Sequence, residues 1–188
     1  CGMDFGFSID PDSLTEVEEN LNVKRHKIAS AMLTDKEFIA VINETNKPVI
    51  LSTGMSTQEQ IDKSINLLKN VEYVLACTST YPTPAEEVNL KYITTLKQRY
   101  PHLKVGFSDH SSSMMSLYSA TALEAEYIEF HITKDRSSYG SDQASSIANV
   151  AGAVTGIRKI QKMLGTGEKI VFASEEPILK KLRKADTI

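Results

Sequence analysis

Six short apolar segments, rich in β-branched and aromatic residues, recur along this 188-residue chain. They cover residues 3–8, 26–30, 48–53, 73–78, 104–108 and 127–133. Each is nearly continuous in hydrophobicity, as expected of strands covered on both faces. The stretches between them carry helical patterns. Thr34-Asp-Lys-Glu37 and Ser56-Thr-Gln-Glu59 have the form of capping boxes, ahead of Phe38, Ile39, Val41 and Ile42 and of Ile61, Ile65 and Leu68. Leu90, Ile93 and Leu96 keep helical spacing up to Tyr100-Pro101, where proline discourages continuation. Residues 112–125 and 147–164 predict two more helices, the second closed by Gly165. An extended stretch at 169–173 and a short helix at 175–184 follow. Strands alternating with helices require a parallel sheet with right-handed crossovers.

Such a chain can form a doubly wound sheet or a (β/α)8 barrel, and the placement of polar residues bears on the choice. No glycine-rich phosphate loop follows any strand, which weighs against a nucleotide-binding sheet. Instead nearly every segment ends in a small hydroxyl residue: Ser8, Ser30, Ser52-Thr53, Thr78-Ser79, Ser108 and Thr133. Singly, such residues cap the next helix or turn. As a ring around one mouth they can donate hydrogen bonds to phosphate oxygens. His110 and His131 close two of the apolar segments, Val105-Gly-Phe-Ser-Asp-His110 and Tyr127-Ile-Glu-Phe-His131. Each alone reads as a hydrogen-bonded rim residue; together, on neighbouring strand ends, they can converge on one divalent metal. Asp109 can either orient a metal ligand or cap a helix, and Cys77 reads as core packing.

The charge balance narrows the function. A net charge of −3 with 24% charged residues leaves no basic stripe for nucleic acid. The basic clusters at 24–27 and 180–184 read as solvated ends of elements. No run of 18 apolar residues predicts a membrane span, and no charged-then-apolar leader opens the chain. Two cysteines, Cys1 and Cys77, without CxxC spacing point to the reducing cytoplasm. The chain starts at Cys1 without methionine and almost inside a strand, so it reads as truncated.

Several longer stretches carry a resemblance. Lys27-Ile-Ala-Ser30, Lys47-Pro-Val-Ile-Leu-Ser-Thr-Gly-Met55, Cys77-Thr-Ser-Thr-Tyr-Pro82, Glu87-Val-Asn-Leu90, Val105-Gly-Phe-Ser-Asp-His110, Glu129-Phe-His-Ile-Thr133 and Gly140-Ser-Asp142 occur in order over nearly the whole chain. So does the closing Glu175-Glu-Pro-Ile-Leu-Lys-Lys-Leu-Arg183. Together they resemble the N-acetylneuraminate (sialic acid) synthase family, the NeuB-like synthases. The resemblance implies a single (β/α)8 TIM barrel domain over residues 1–188, truncated to strands three to eight, with no C-terminal antifreeze-like domain. It implies a carbon–carbon bond-forming transferase of carbohydrate biosynthesis. Such an enzyme condenses phosphoenolpyruvate with an N-acylated amino-sugar aldehyde of the N-acetylmannosamine type, releasing phosphate and forming a nine-carbon 2-keto acid. The implied cofactor is Mn²⁺ or Mg²⁺, held by His110 and His131. Lys27 then contacts phosphoenolpyruvate, with Ser8, Ser30, Ser52, Ser79 and Ser108 supplying its hydroxyl contacts. Tyr81 and Asp142 hold the sugar. Relatives are commonly dimers, so a homodimer is an expectation.

The chain departs from the family pattern at three positions. Ala31-Met32 replaces a frequent Gly-Glu, Phe130 stands where Lys or Arg usually precedes the second histidine, and Ser79 replaces an asparagine of some members. These changes suggest a divergent branch with a different acceptor. The rival enzymatic reading is another phosphoenolpyruvate aldol-type synthase, making pseudaminic or legionaminic acid or a 3-deoxy-heptulosonate. A non-catalytic reading has an inactive barrel fragment serving as scaffold. With strands one and two upstream, residues 1–188 alone are expected to be inactive and poorly soluble.

Overall fold

The structure is a computed structural model, and it describes residues 8–9, 11–21, 23–111, 113–132, 137 and 150–185. Six strands lie in one sheet: β1 (Ser8–Ile9), β2 (His26–Ile28), β3 (Val49–Ser52), β4 (Val71–Cys77), β5 (Lys104–Asp109) and β6 (Ile128–Phe130). Their order in the sheet is their order in the chain, and every pair is parallel. A doubly wound sheet reverses strand order at a switch point; an unbroken sequential order is that of a barrel. The helices are α1 (Pro11–Asn20), α2 (Lys36–Glu44), α3 (Gln58–Leu67), α4 (Lys91–Arg99), α5 (Met114–Ala122), α6 (Val150–Leu164) and α7 (Glu176–Leu182). Among the described residues no helix is long and apolar enough to cross a membrane.

The sheet curls. Lys27 on β2 and Glu129 on β6 are four strand positions apart, a span of about 19 Å in a flat sheet at roughly 4.8 Å per step. Yet Lys27 Nζ lies 3.2 Å from Glu129 Oε1. Two side chains can meet across that span only if both point into a concave interior.

Register then assigns every strand residue to a face. Val49, Leu51, Val74, Ala76, Val105 and Phe107 face the helices and join Ile28, Phe38, Ile42, Ile61, Ile93 and Leu96 in the main core. The paired positions Lys27–Ile50–Tyr73, Ser52–Leu75–Gly106 and Cys77–Ser108–Glu129 form rows across the other, inner face. Ile50 and Leu75 are buried there outside the main core. Gly106 leaves the room this packing needs. A Cβ on it would lie 2.4 Å from Leu75 Cδ2 and 2.6 Å from the Tyr127 carbonyl. Across it the rings of Tyr73 and Tyr127 approach with centroids 5.3 Å apart.

Both predicted caps act one residue later than expected. Asp35, not Thr34, caps α2 by accepting from the Phe38 amide. Thr57 and Gln60 form the reciprocal box of α3, not Ser56 and Glu59. In both sequences two adjacent side chains can cap, and the hydrophobic face that must meet the sheet selects the register. Residues 169–173, expected to be extended, join no strand; Ala173 instead opens a 3-10 turn, Ala173–Glu175, that leads into α7. Expected strand residues 3–7 and Thr133 lie outside the described residues.

The 24–27 cluster is not a solvated end, because β2 carries part of it into the sheet. Arg25 pairs with Glu72, which also accepts from Lys104 Nζ at 3.0 Å. His26 is buried on the helix side, with Nε2 2.9 Å from Glu18 Oε1, while Lys47 Nζ lies 2.7 Å from the same oxygen.

Two stability predictions follow from these packing constraints. Gly106→Ala meets a backbone carbonyl that cannot swing away, and should cost about 2 kcal/mol of unfolding free energy in urea denaturation. Burial holds the His26 imidazole below its ordinary value of 6.5, against the opposing pull of Glu18. The folded state therefore favours neutral His26, so its contribution is complete above pH 6.5 and declines as pH falls below it. Unfolding measured from pH 7.5 to 5.5 should lose stability more steeply in the native chain than in His26→Gln.

Candidate active site

The inner face ends in a polar mouth at the carboxyl ends of the strands. β2 supplies Lys27 and leads into a 3-10 turn, Ser30–Met32, that places Ser30 at the rim. Lys27 is 9% exposed, so its ammonium is largely removed from water and depends on Glu129 for charge compensation. Ser30 Oγ accepts from the Gly54 amide at 3.0 Å and lies 3.5 Å from Cys77 Sγ. Ser79 Oγ lies 3.6 Å from the same sulfur. Gly54 is a necessity of this cluster: a Cβ would stand 2.1 Å from Ser79 Oγ and 2.8 Å from Ser30 Oγ. Ser108, paired with Cys77 and Glu129, is buried on the same face.

Two buried atoms here have no hydrogen-bond partner among the described residues, Ser52 Oγ and Glu129 Oε2. Leaving such a group unpaired costs about 1–3 kcal/mol. Two of them on the inner face of one mouth mark a place shaped for something other than packing.

The two histidines meet beside this cluster. Their ring centroids are 5.0 Å apart, and Tyr81 lies against both, at 4.3 Å from His110 and 6.0 Å from His131. His110 is buried, and its Nδ1 lies 2.8 Å from the Thr78 carbonyl. An N–H donated to that carbonyl fixes the tautomer and leaves the Nε2 lone pair free. Thr83 braces this arrangement: its amide donates to the His110 carbonyl at 2.9 Å and its hydroxyl to the Thr80 carbonyl at 2.8 Å.

Neighbours push the two imidazoles apart electrostatically. Burial lowers the His110 pKa, but contacts with Cys77 and the Thr78 carbonyl outweigh it and hold the ring above its ordinary value. Burial and the nearby His110 hold His131 below its own. Burial also pushes the Cys77 thiol up, yet hydrogen bonding with His110, Ser30 and Ser79 brings it below the usual thiol range. Cys77 is thus part of the polar cluster and not the core packing expected of it.

Two imidazoles with ring centroids 5.0 Å apart, one with its tautomer set, suit a first-row divalent cation. Among the described residues no group of three His, Cys, Asp or Glu forms a cage. A metal held by the two histidines would keep positions open for substrate or water, the form catalytic sites take.

Asp109 does not orient His110. It accepts from the Ser111 amide and hydroxyl, each at 3.1 Å, and from Ser116 Oγ at 2.8 Å, which docks the start of α5. Strand alternation turns it away from Ser108 and His110. The same alternation places Glu129 beside His131, and sequence reasoning missed it. Ser8 pairs with Lys27 in the ladder, while Asp142 lies outside the described residues.

Fold and site together define a barrel-type protein with an anion-suited, histidine-bearing mouth at the strand ends. The chain belongs to the NeuB family, whose model matches residues 3–169. It is 35% identical over 190 residues to N,N'-diacetyllegionaminic acid synthase of Campylobacter jejuni, covering 95% of this chain and 56% of that protein. It is 38% identical over 149 residues to pseudaminic acid synthase of the same species, covering 76% and 43%. The crystal structure of N-acetylneuraminic acid (sialic acid) synthetase from Leptospira borgpetersenii, a citrate complex, superposes with a TM-score of 0.79 at 32% identity. That match covers 94% of this chain and 64% of the other. The chain spans about half the length of the curated relatives it matches.

In metal-free protein, nitrogen-resolved NMR should show His110 protonated at Nδ1. As pH rises, His131 should lose its charge first, below pH 6.5, and His110 later, above it. A His110 ring titrating below His131 would contradict the assigned contacts.

Proposed function

We propose that this chain carries the carboxyl-end mouth of a synthase that joins phosphoenolpyruvate to an N-acylated amino-sugar aldehyde. One carbon–carbon bond forms, one water is consumed, phosphate leaves, and the product is a nine-carbon sialic-acid-like 2-keto acid. The observation that carries this reading is the convergence on one inner face of Lys27, four serines and two facing histidines. Family membership and relatives named as sialic, legionaminic and pseudaminic acid synthases support it.

Phosphoenolpyruvate has two anionic ends and needs several donors. Lys27 supplies the charge, and Ser30, Ser52, Ser79 and Ser108 supply hydroxyls, with Ser8 at the ladder position beside Lys27. The unpartnered Ser52 hydroxyl is ready to donate without breaking an existing bond. Tyr81, tilted against His110 and edge-on to His131, forms a wall for the sugar. The family resemblance gives Asp142 the role of accepting from the sugar's hydroxyls. His110 and His131 hold Mn²⁺ or Mg²⁺. When bound, the ion acts as a Lewis acid on the aldehyde oxygen, favouring attack by C3 of phosphoenolpyruvate.

The test is binding first, then turnover. Mn²⁺ titrated into the chain and followed by the EPR signal of the free ion should bind saturably. His110→Ala and His131→Ala should each weaken it by more than about tenfold. Turnover is read on a protein that also carries the two upstream strands: phosphate release from phosphoenolpyruvate, compared with N-acetylmannosamine and with a diacetamido-sugar, identifies the acceptor. Absence of saturable Mn²⁺ binding would sink the proposal.

A further inference from the structure

Glu129 has no part in the roles above, yet it stands between them. One carboxylate oxygen is 3.2 Å from Lys27 Nζ, and the other is buried without a hydrogen-bond partner among the described residues. His131 follows two residues on, just past the end of β6, and Glu129 is close enough to act electrostatically on both His110 and His131. The only ammonium assigned to the anion is therefore already engaged, by a carboxylate that also faces the cation's place.

We infer that Glu129 is a positioning residue that couples the two halves of the site, so that cation binding releases Lys27 to the anion. This rests on the proposed anion and metal roles of Lys27 and the histidines. Without a cation, Lys27 is compensated by Glu129, and an incoming phosphate must displace that carboxylate. It would then leave a buried negative charge facing a second one. With a dication between His110 and His131, the free oxygen of Glu129 has a stronger partner. Its hold on Lys27 weakens, and the ammonium turns to the anion without leaving any charge uncompensated. Cation and anion then bind with positive coupling, and by linkage each strengthens the other equally. The buried, half-paired carboxylate is what the coupling requires; a fully paired one would be structural only.

The experiment is a pair of binding titrations on the native chain and two variants. Inorganic phosphate is titrated by calorimetry with and without saturating Mn²⁺, and Mn²⁺ by EPR with and without phosphate, both corrected for the Mn²⁺–phosphate interaction in buffer. In the native chain Mn²⁺ should tighten phosphate binding about tenfold or more. In Glu129→Gln, which keeps shape and loses charge, metal-free phosphate binding should tighten severalfold. Its Mn²⁺ enhancement should shrink to the residual attraction between the two bound ions. Lys27→Met, read through Mn²⁺ affinity alone, provides the second arm. Freeing Glu129 should tighten Mn²⁺ binding in the native background and do so much less in a Glu129→Gln background. Circular dichroism of each variant reports that it is folded. Coupling that survives unchanged in Glu129→Gln, with Mn²⁺ still bound, overturns this role while leaving the site reading intact. Failure of the native chain to bind either ion overturns both.

Discussion

A parallel strand turns successive side chains to opposite faces, and here six strands in chain order share one concave side. That geometry forces a division of labour within every strand. Ile28, Leu51, Val74, Val105 and Phe107 turn outward against the helices, where apolar burial holds the layers together. Lys27, Ser52, Cys77, Ser108 and Glu129 turn inward. A shift of one residue in any strand would bury charge against a helix and expose an aliphatic side chain to the mouth, so register is strongly fixed. The interior is not empty beneath the polar rim. Ile50 and Leu75 fill it, and Tyr73 and Tyr127 meet across Gly106. This apolar floor denies water to the mouth from below, which strengthens every electrostatic contact above it.

Within the mouth, backbone groups do much of the positioning. The Thr78 carbonyl sets the His110 tautomer, the Gly54 amide holds Ser30, and Thr83 ties the loop after β4 to the end of β5. These contacts belong to chain segments already fixed by strand ends, so the site is arranged before any ligand arrives. Preorganisation of this kind removes reorganisation from the binding step.

Much of this arrangement was legible in the residues. The alternation of apolar segments and capped helices gives the β/α order, and hydroxyls at successive strand ends mark the mouth. What was not legible required knowledge of faces across strands. Glu129 looks like an ordinary polar residue in a strand until the curl brings it to Lys27, four strands away. Cys77 looks like core until its inward parity sets it beside Ser30, Ser79 and His110. Asp109 sits next to His110 in the chain and belongs to the opposite face. The caps of α2 and α3 fall one residue beyond the place the sequence pattern suggests, because Thr34-Asp35 and Ser56-Thr57 each offer two side chains able to cap. Only packing of the helix face against the sheet separates them.

The two ends of the sheet carry similar charges in different states of satisfaction, and that difference separates stability from function. At the amino ends, Arg25 and Lys104 both engage Glu72, and hydrogen bonding from Arg25 above all holds its carboxyl below the usual range. Lys104 also lies over the Tyr73 ring at 5.1 Å. No buried side-chain atom of that cluster is left without a partner among the described residues. At the carboxyl ends one lysine meets one carboxylate, and Glu129 Oε2 and Ser52 Oγ remain unpaired. A cluster meant only to hold strands together has no reason to bear that cost, since an aliphatic row would do as well. Both His26 ring nitrogens are also buried without a hydrogen bond among the described residues, on the helix side. The Ser52 and Glu129 atoms differ in lying where the strand ends also bring two imidazoles together, the arrangement expected where a ligand completes the hydrogen bonding.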